Sequence, residues 1–194
     1  MVQSVLTEAT VERGHSSTKL TYADYVLFPD DGLRHEIIEG EHYVTASPAT
    51  RHQRILLNLS YLIRNYLETH PIGEIFFAPF DVLLSEINIL VPDLVYISNE
   101  RAHFVTPKNL QGAPDLVVEI LSPSTRSRDQ RLKRDVYERT GVEEYWLVDP
   151  EREVAEVYRR GAGGFQPSVR YARPDIVTTP LMPGLDIPLD KILA

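Results

Sequence analysis

The chain has no cysteine among its 194 residues. That excludes a disulfide framework, a thiolate nucleophile and a cysteine-ligated zinc site, and it suits a reducing cytoplasm. No apolar run reaches the ~18 residues that a membrane-spanning helix needs, so no membrane partner is expected. The N-terminus shows no charged segment leading into an apolar one, and no signal peptide is expected. Basic residues are in the minority: 20 Lys and Arg against 28 Asp and Glu give a formal net charge of −8. A general nucleic-acid coat protein would be basic. A metal-dependent nuclease need not be, because its acidic site residues count toward the total and bound cations offset them locally. The six histidines show neither HExxH nor zinc-finger spacing. No serine sits in a GxSxG elbow, and Gly161 to Gly164 lacks a phosphate-loop pattern. Nothing points to an organic cofactor.

What is present is enough apolar sequence, 43%, to bury the core of one domain of ordinary size. Residues 1–18 are polar and aperiodic and read as a flexible leader to a single domain over 19–194. A short helix is predicted over Thr21–Phe28, capped by Thr21 and stopped at Pro29. His35 to Val44 alternates around Gly40 like a hairpin. Ile55, Leu56, Leu59, Leu62, Ile63, Tyr66 and Leu67 recur at helical spacing and predict a helix over Ala49–Thr69, closed by Pro71 and Gly73. Three strand-like runs follow, Ile75–Leu84, Leu90–Ser98 and Leu116–Leu121, with a polar connector over 99–113. A second helix is expected from Ser127 to Thr140, stopped at Gly141, with Ser127 and Gln130 at capping-box spacing. Glu144–Val148 and Val154–Arg159 then read as paired strands. This order of helices and strands predicts an α/β or α+β domain with a mixed sheet.

Two carboxylates interrupt the apolar runs: Asp93 in Ile89–Ile97 and Glu119 in Asp115–Leu121. An ionised carboxylate there costs several kcal/mol unless it is paired, protonated or bound to a metal. Val117, Glu119 and Leu121 share one face of their strand and Leu116, Val118 and Ile120 the other, so the strand is expected to be central, apolar on both faces. Asp93 follows Pro92, and proline marks a strand start, an edge or a bulge. Two such carboxylates with Lys133 close by suggest metal-dependent hydrolysis. The alternatives are a buried structural ion pair for Glu119, a solvent-facing strand start for Asp93 and a solvated helix charge for Lys133, which has several arginines around it. Asp129 fits a helix start, where the macrodipole favours a carboxylate. His52 stands near the start of the first long helix.

Pro92-Asp93, the run Val118–Ser124, then Asp129, Lys133, Tyr137, Gly141 and Glu144–Pro150, together with Glu36–Glu41, Ser47-Pro48 and His52, resemble the Uma-type restriction endonuclease family. That bacterial family belongs to the PD-(D/E)xK nuclease superfamily, and the resemblance runs through residues 20–190. It implies a restriction-endonuclease-like core, a central mixed sheet flanked by helices with extra N- and C-terminal strands. It implies Asp93 and Glu119 as ligands of Mg²⁺ or Mn²⁺, Glu36 as a further acidic contact, and His52 as a recurrent position of less defined role. The superfamily's lysine two residues after the glutamate is Leu121 here; Lys133 matches the position to which the family's lysine has moved, and as a catalytic residue it is expected to orient or deprotonate the attacking water or to stabilise charge on the phosphate.

The expected function is therefore a Mg²⁺-dependent endonuclease acting on DNA. The alternatives are a non-catalytic module that binds nucleic acid or protein on the same fold, and a hydrolase of small phosphoesters. The basic stretch from Arg126 to Arg139 offers phosphate contacts or a solvated mixed-charge face. Tyr145, Trp146, Tyr158, Phe165 and Tyr171 suggest either an aromatic interface, hence a homodimer with two equivalent sites, or the monomer's own core.

Overall fold

The computed structural model describes residues 18–194, so the leader expected over 1–18 lies almost wholly outside the described residues. In chain order the elements are α1 (Tyr22–Tyr25), β1 (Arg34–Ile38), β2 (Glu41–Thr45), α2 (Thr50–Thr69), β3 (Gly73–Phe77), β4 (Val82–Ser85), β5 (Asn88–Leu90), β6 (Leu94–Ser98), β7 (Leu110–Gln111) and β8 (Leu116–Ile120). A widened, π-type helical stretch over Arg128–Lys133 runs straight into α3 (Arg134–Thr140). Then come β9 (Glu144–Asp149), β10 (Val154–Gly161), β11 (Gly164–Phe165), β12 (Val169–Ala172), β13 (Ile176–Val177), β14 (Ile187–Pro188) and α4 (Leu189–Ile192).

The strands form two main sheets and a small β13–β14 pair. The larger sheet runs β11-β10-β9-β8-β6-β3, with β12 also on β10; the smaller runs β2-β1-β5-β4-β7. β8 and β9 are parallel, as are β4 and β7, and the other ladders are antiparallel, so both sheets are mixed. β8 is central, as its two apolar faces require. Leu116, Val118 and Ile120 join one core cluster with α2, Trp146 and the C-terminal segment. Val117 and Leu121 join the other with Val136, Tyr137 and Tyr145. Within α2, His52, Ile55, Leu56, Leu59, Ile63 and Leu67 are buried. Each buried Leu or Ile contributes roughly 1.5–3 kcal/mol, far more than helix propensity supplies.

Two of the strand-like runs are each two strands. Ile75–Leu84 breaks at Pro79, leaving β3 in the larger sheet and β4 in the smaller; Leu90–Ser98 breaks at Pro92, leaving β5 in the smaller and β6 in the larger. Proline cannot donate to a ladder, and at both points the chain uses that break to change sheets. The connector 99–113 contains a 3₁₀ turn and β7. The first helix is a single turn, with the Asp24 carboxylate accepting the Thr21 N–H at 2.8 Å. The hairpin forms as expected, turning at Glu39 (φ 55°) and Gly40 (φ 83°). A Cβ on Gly40 would stand 2.5 Å from the Lys19 side chain, so glycine is required there for both conformation and space.

Ser127 is not a cap: its own backbone is helical (φ −65°, ψ −36°) and its side chain makes no capping bond. Ser122 anchors the turn instead, accepting the Thr125 N–H at 3.3 Å. The aromatic residues fill the monomer: Tyr145 and Trp146 are buried, and Tyr158, Phe165 and Tyr171 pack against the two core clusters. Among the described residues, no helix is long and apolar enough to cross a membrane.

Candidate active site

The site lies on the seam between the two sheets. β6 and β8 are antiparallel, with Leu94 opposite Val118, so the start of β6 sits beside the end of β8. Asp93, just before β6, therefore lies next to Glu119, and its Oδ2 accepts the Ile120 N–H at 2.8 Å. α2 delivers His52, whose Nε2 lies 3.0 Å from the same oxygen. β1 of the smaller sheet delivers Arg34 and Glu36, which share a face two residues apart. Arg34 Nη1 donates to Asp93 Oδ1 at 2.7 Å.

Lys133 and Asp129 come from the widened helical turn, a feature that often marks functional positions. The Lys133 ammonium is fully buried. It lies 2.7 Å from Glu36 Oε1, 2.9 Å from Glu119 Oε1 and 3.7 Å from Asp129 Oδ1. Tyr137, one turn on, donates its hydroxyl to Glu119 Oε1 at 3.0 Å. The Val91 N–H donates to Glu36 Oε1 at 2.9 Å. Lys133 is thus no solvated helix charge, and Asp93, about 1% exposed, is no solvent-facing strand start. The carboxylate of Asp129 is turned inward to Lys133 as well.

Four carboxylates, Glu36, Asp93, Glu119 and Asp129, meet three permanent cations, Arg34, Arg128 and Lys133. Burial pushes the Glu119 carboxyl up; Lys133 pulls it down, but Asp129, Asp93 and Glu36 add to the rise, and it reaches about 8. Burial raises Asp129 too. Asp93 goes the other way: the His52 hydrogen bond, the Arg34 charge and the Ile120 N–H outweigh burial and hold it at about 2. Burial would lower the Lys133 ammonium, but Glu119, Glu36 and Asp129 hold it above the ordinary lysine range. Lys133 therefore stays charged and does not accept a proton in this arrangement.

A cavity of about 380 Å³ opens at this point, lined by Arg34, His52, Asp93, Glu119, Ser122 and Asp129 among others. A second, of about 350 Å³, shares Arg34, His52 and Asp93 with it. Lys133 and Glu36 line neither; they stand behind Glu119.

The seam brings together all six residues singled out from sequence, Glu36, His52, Asp93, Glu119, Asp129 and Lys133. Sequence reasoning missed Arg34. Its one available signal was the alternation Arg34, Glu36, Ile38 on a strand whose last residues are buried. The arginines of the helix are largely committed within the molecule. Arg126 pairs with Asp149 and Glu151, Arg128 donates to Thr45 Oγ1, and Arg139 pairs with Glu39.

Among the described residues, no three His, Asp or Glu side chains form a ready-made metal cage. The donor set suits a different kind of site. Mg²⁺ is usually held by one or two carboxylates and keeps several waters. Asp129 Oδ1 is buried without a hydrogen-bond partner, and the carboxylates outnumber the permanent cations. A hard divalent cation at Asp93 and Glu119 matches that excess of oxygen ligands.

A family model, Uma2, described as "Putative restriction endonuclease", matches residues 22–190. Among solved structures, a "putative nuclease belonging to DUF820" from Anabaena variabilis matches with a TM-score of 0.77 at 20% identity, covering 90% of this chain and 97% of that one. At that identity the likeness is one of fold, and it agrees with the mixed α/β, restriction-endonuclease-like core expected from the sequence. No curated protein matches the chain.

Proposed function

The chain belongs to the Uma2 family, and on that premise we propose that it is a divalent-metal-dependent endonuclease that hydrolyses phosphodiester bonds in DNA. The observation that carries this is Glu119, held at one oxygen by Lys133 and Tyr137, lining a cavity beside Asp93. Asp93 and Glu119 would hold Mg²⁺ or Mn²⁺. Such an ion, when bound, lowers the pKa of a coordinated water and offsets charge on the phosphate. The chain's own residues prepare the place. Lys133 and Tyr137 fix the Glu119 carboxylate, Glu36 balances Lys133, and His52 and the Ile120 N–H hold Asp93 Oδ2. Lys133 acts here as a positioning residue, since it reaches the cavity only through Glu119.

The test is incubation of supercoiled plasmid and single-stranded DNA with the protein. Nicking or linearisation is expected with Mg²⁺ or Mn²⁺ and is expected to stop with a chelator. Cleavage that ignores the chelator, or no cleavage with any divalent ion, counts against the proposal. A binding module on the same fold is favoured by one observation: both Asp93 oxygens already carry partners, Arg34 on one and His52 with Ile120 N–H on the other. Calorimetry separates the two. Divalent-ion binding lost in Asp93→Ala and Glu119→Ala supports the nuclease; no binding by the unaltered protein supports the module.

Cutting both strands of a duplex gains from two equivalent sites related by a two-fold axis, so a homodimer is expected. Light scattering at micromolar protein should give about twice the 22.1 kDa chain mass. A mass that stays at the monomer value at every concentration would refute it.

A further inference from the structure

We propose that Arg34 is a cation-displaceable latch: its guanidinium holds Asp93 in the metal-free protein and passes to the substrate phosphate once a divalent ion takes that carboxylate. The inference rests on the nuclease proposal and deepens it by naming the residue that couples metal loading to phosphate binding.

Four observations carry it. Arg34 Nη1 is 2.7 Å from Asp93 Oδ1, so a permanent positive charge already occupies the carboxylate assigned to the metal. The other Asp93 oxygen is filled by His52 and the Ile120 N–H, so the ion must compete for the Arg34 side. Two cations on one carboxylate repel each other, and a divalent ion is the stronger competitor. Arg34 also lines both cavities, which meet at Arg34, His52 and Asp93. A side chain on that boundary reaches a phosphate lying across the site. Finally, the guanidinium is underused: its Nε is buried and has no hydrogen-bond partner. An arginine with spare donors in a fixed fork, freed from its carboxylate, matches two oxygens of a phosphate. Lysine would match only as a point charge.

The sequence neighbours of Arg34 fit this use. Leu33 is exposed and Gly32 has φ 76°, so the chain entering β1 is a turn rather than packed core. The Arg34 side chain is itself 20% exposed, so it is not enclosed by the core. Glu36, on the same strand, is anchored by Lys133 and the Val91 N–H, so the strand itself stays fixed.

The test measures Mn²⁺ binding by calorimetry and binding of a labelled DNA duplex, in unaltered protein, Arg34→Gln and Arg34→Lys, with thermal melting as a check on folding. For the duplex, Ca²⁺ replaces Mg²⁺ so that the DNA stays uncut. Arg34→Gln is expected to bind Mn²⁺ roughly ten-fold more tightly, because a competing charge is gone. It is expected to bind the duplex roughly ten-fold more weakly in Ca²⁺, for loss of a charge-assisted contact, and to differ much less without the ion. Arg34→Lys should fall between the two in both measurements, and as it keeps the charge on Asp93 it also covers the case in which Arg34→Gln fails to fold. A purely structural arginine would weaken both or neither. Unchanged or weaker Mn²⁺ binding in Arg34→Gln overturns the latch, as does duplex binding that loses the same factor with and without Ca²⁺. If the unaltered protein binds no divalent ion, the nuclease proposal fails and the latch with it. Binding by the unaltered protein that is indifferent to Arg34 removes the latch alone.

Discussion

Glu119→Gln yields a protein that is more heat-resistant than the unaltered chain in the absence of metal and inert as a nuclease. Both effects come from one carboxyl. Burial and three neighbouring carboxylates push the Glu119 carboxyl up to about 8, Lys133 notwithstanding. In the unfolded chain it titrates near ~4.3. A carboxyl raised on folding stabilises the fold fully below the unfolded value, and that contribution is lost as pH rises through the folded one. The window therefore lies between about 4.3 and 8. Glutamine never ionises, so the variant escapes the loss. At pH 8.5 and without divalent ions it should melt above the unaltered protein, and the gap should shrink as pH falls to 4. Added Mn²⁺ should raise the melting point of the unaltered protein and leave the variant where it was, because binding to the native state alone stabilises it. Cleavage should fall by at least roughly 10³-fold, as when a preorganised charge-stabilising group is lost. A variant that cuts within ten-fold of the unaltered rate, or that melts lower at pH 8.5, would remove Glu119 from its assigned role.

Lys133→Met should cost the most stability of any single change in the site. The ammonium is fully buried and serves Glu36, Glu119 and Asp129 at once. Methionine keeps much of the volume and removes the charge. Breaking a buried ion pair from one side costs about 3–5 kcal/mol, because the remaining charge is left uncompensated. For a chain of this size that corresponds to a fall in melting temperature of roughly 10 °C or more. The cost has a pH signature. As pH falls the stranded carboxylates take up protons, so denaturant titrations should show a large loss at pH 8 and a smaller one at pH 5. A loss under about 1 kcal/mol at pH 8 would mean that the three carboxylates do not depend on Lys133.

The parts of this protein that were legible in the sequence are those fixed by local periodicity. The spacing of Ile55, Leu59 and Ile63 gives α2, and the two apolar faces of Leu116–Ile120 give a central strand. Asp93 and Glu119 stood out for the same reason: each breaks an apolar run. What was not legible depends on distant pairing. Pro79 and Pro92 each transfer the chain from one sheet to the other, and nothing local distinguishes such a transfer from a bulge within one strand. Lys133 sits among arginines and acids and reads locally as surface charge; only the docking of β1 and β8 against its helix buries it. Arg34 had only the alternation of its strand to mark it, because the partner that defines it, Asp93, lies 59 positions away.

That remoteness has a consequence for synthesis. The charged constellation is drawn from β1, α2, the start of β6, the end of β8 and the helix after it, and the seam closes only when both sheets are present. A chain emerging from the ribosome carries Glu36, His52 and Asp93 long before Lys133 is available to seat Glu119. Until then Glu36 and Glu119 have no buried cation to bind, and the seam cannot form around them. The proposed metal site is therefore incomplete while the chain is being made, and it closes only after the helix bearing Lys133 has docked.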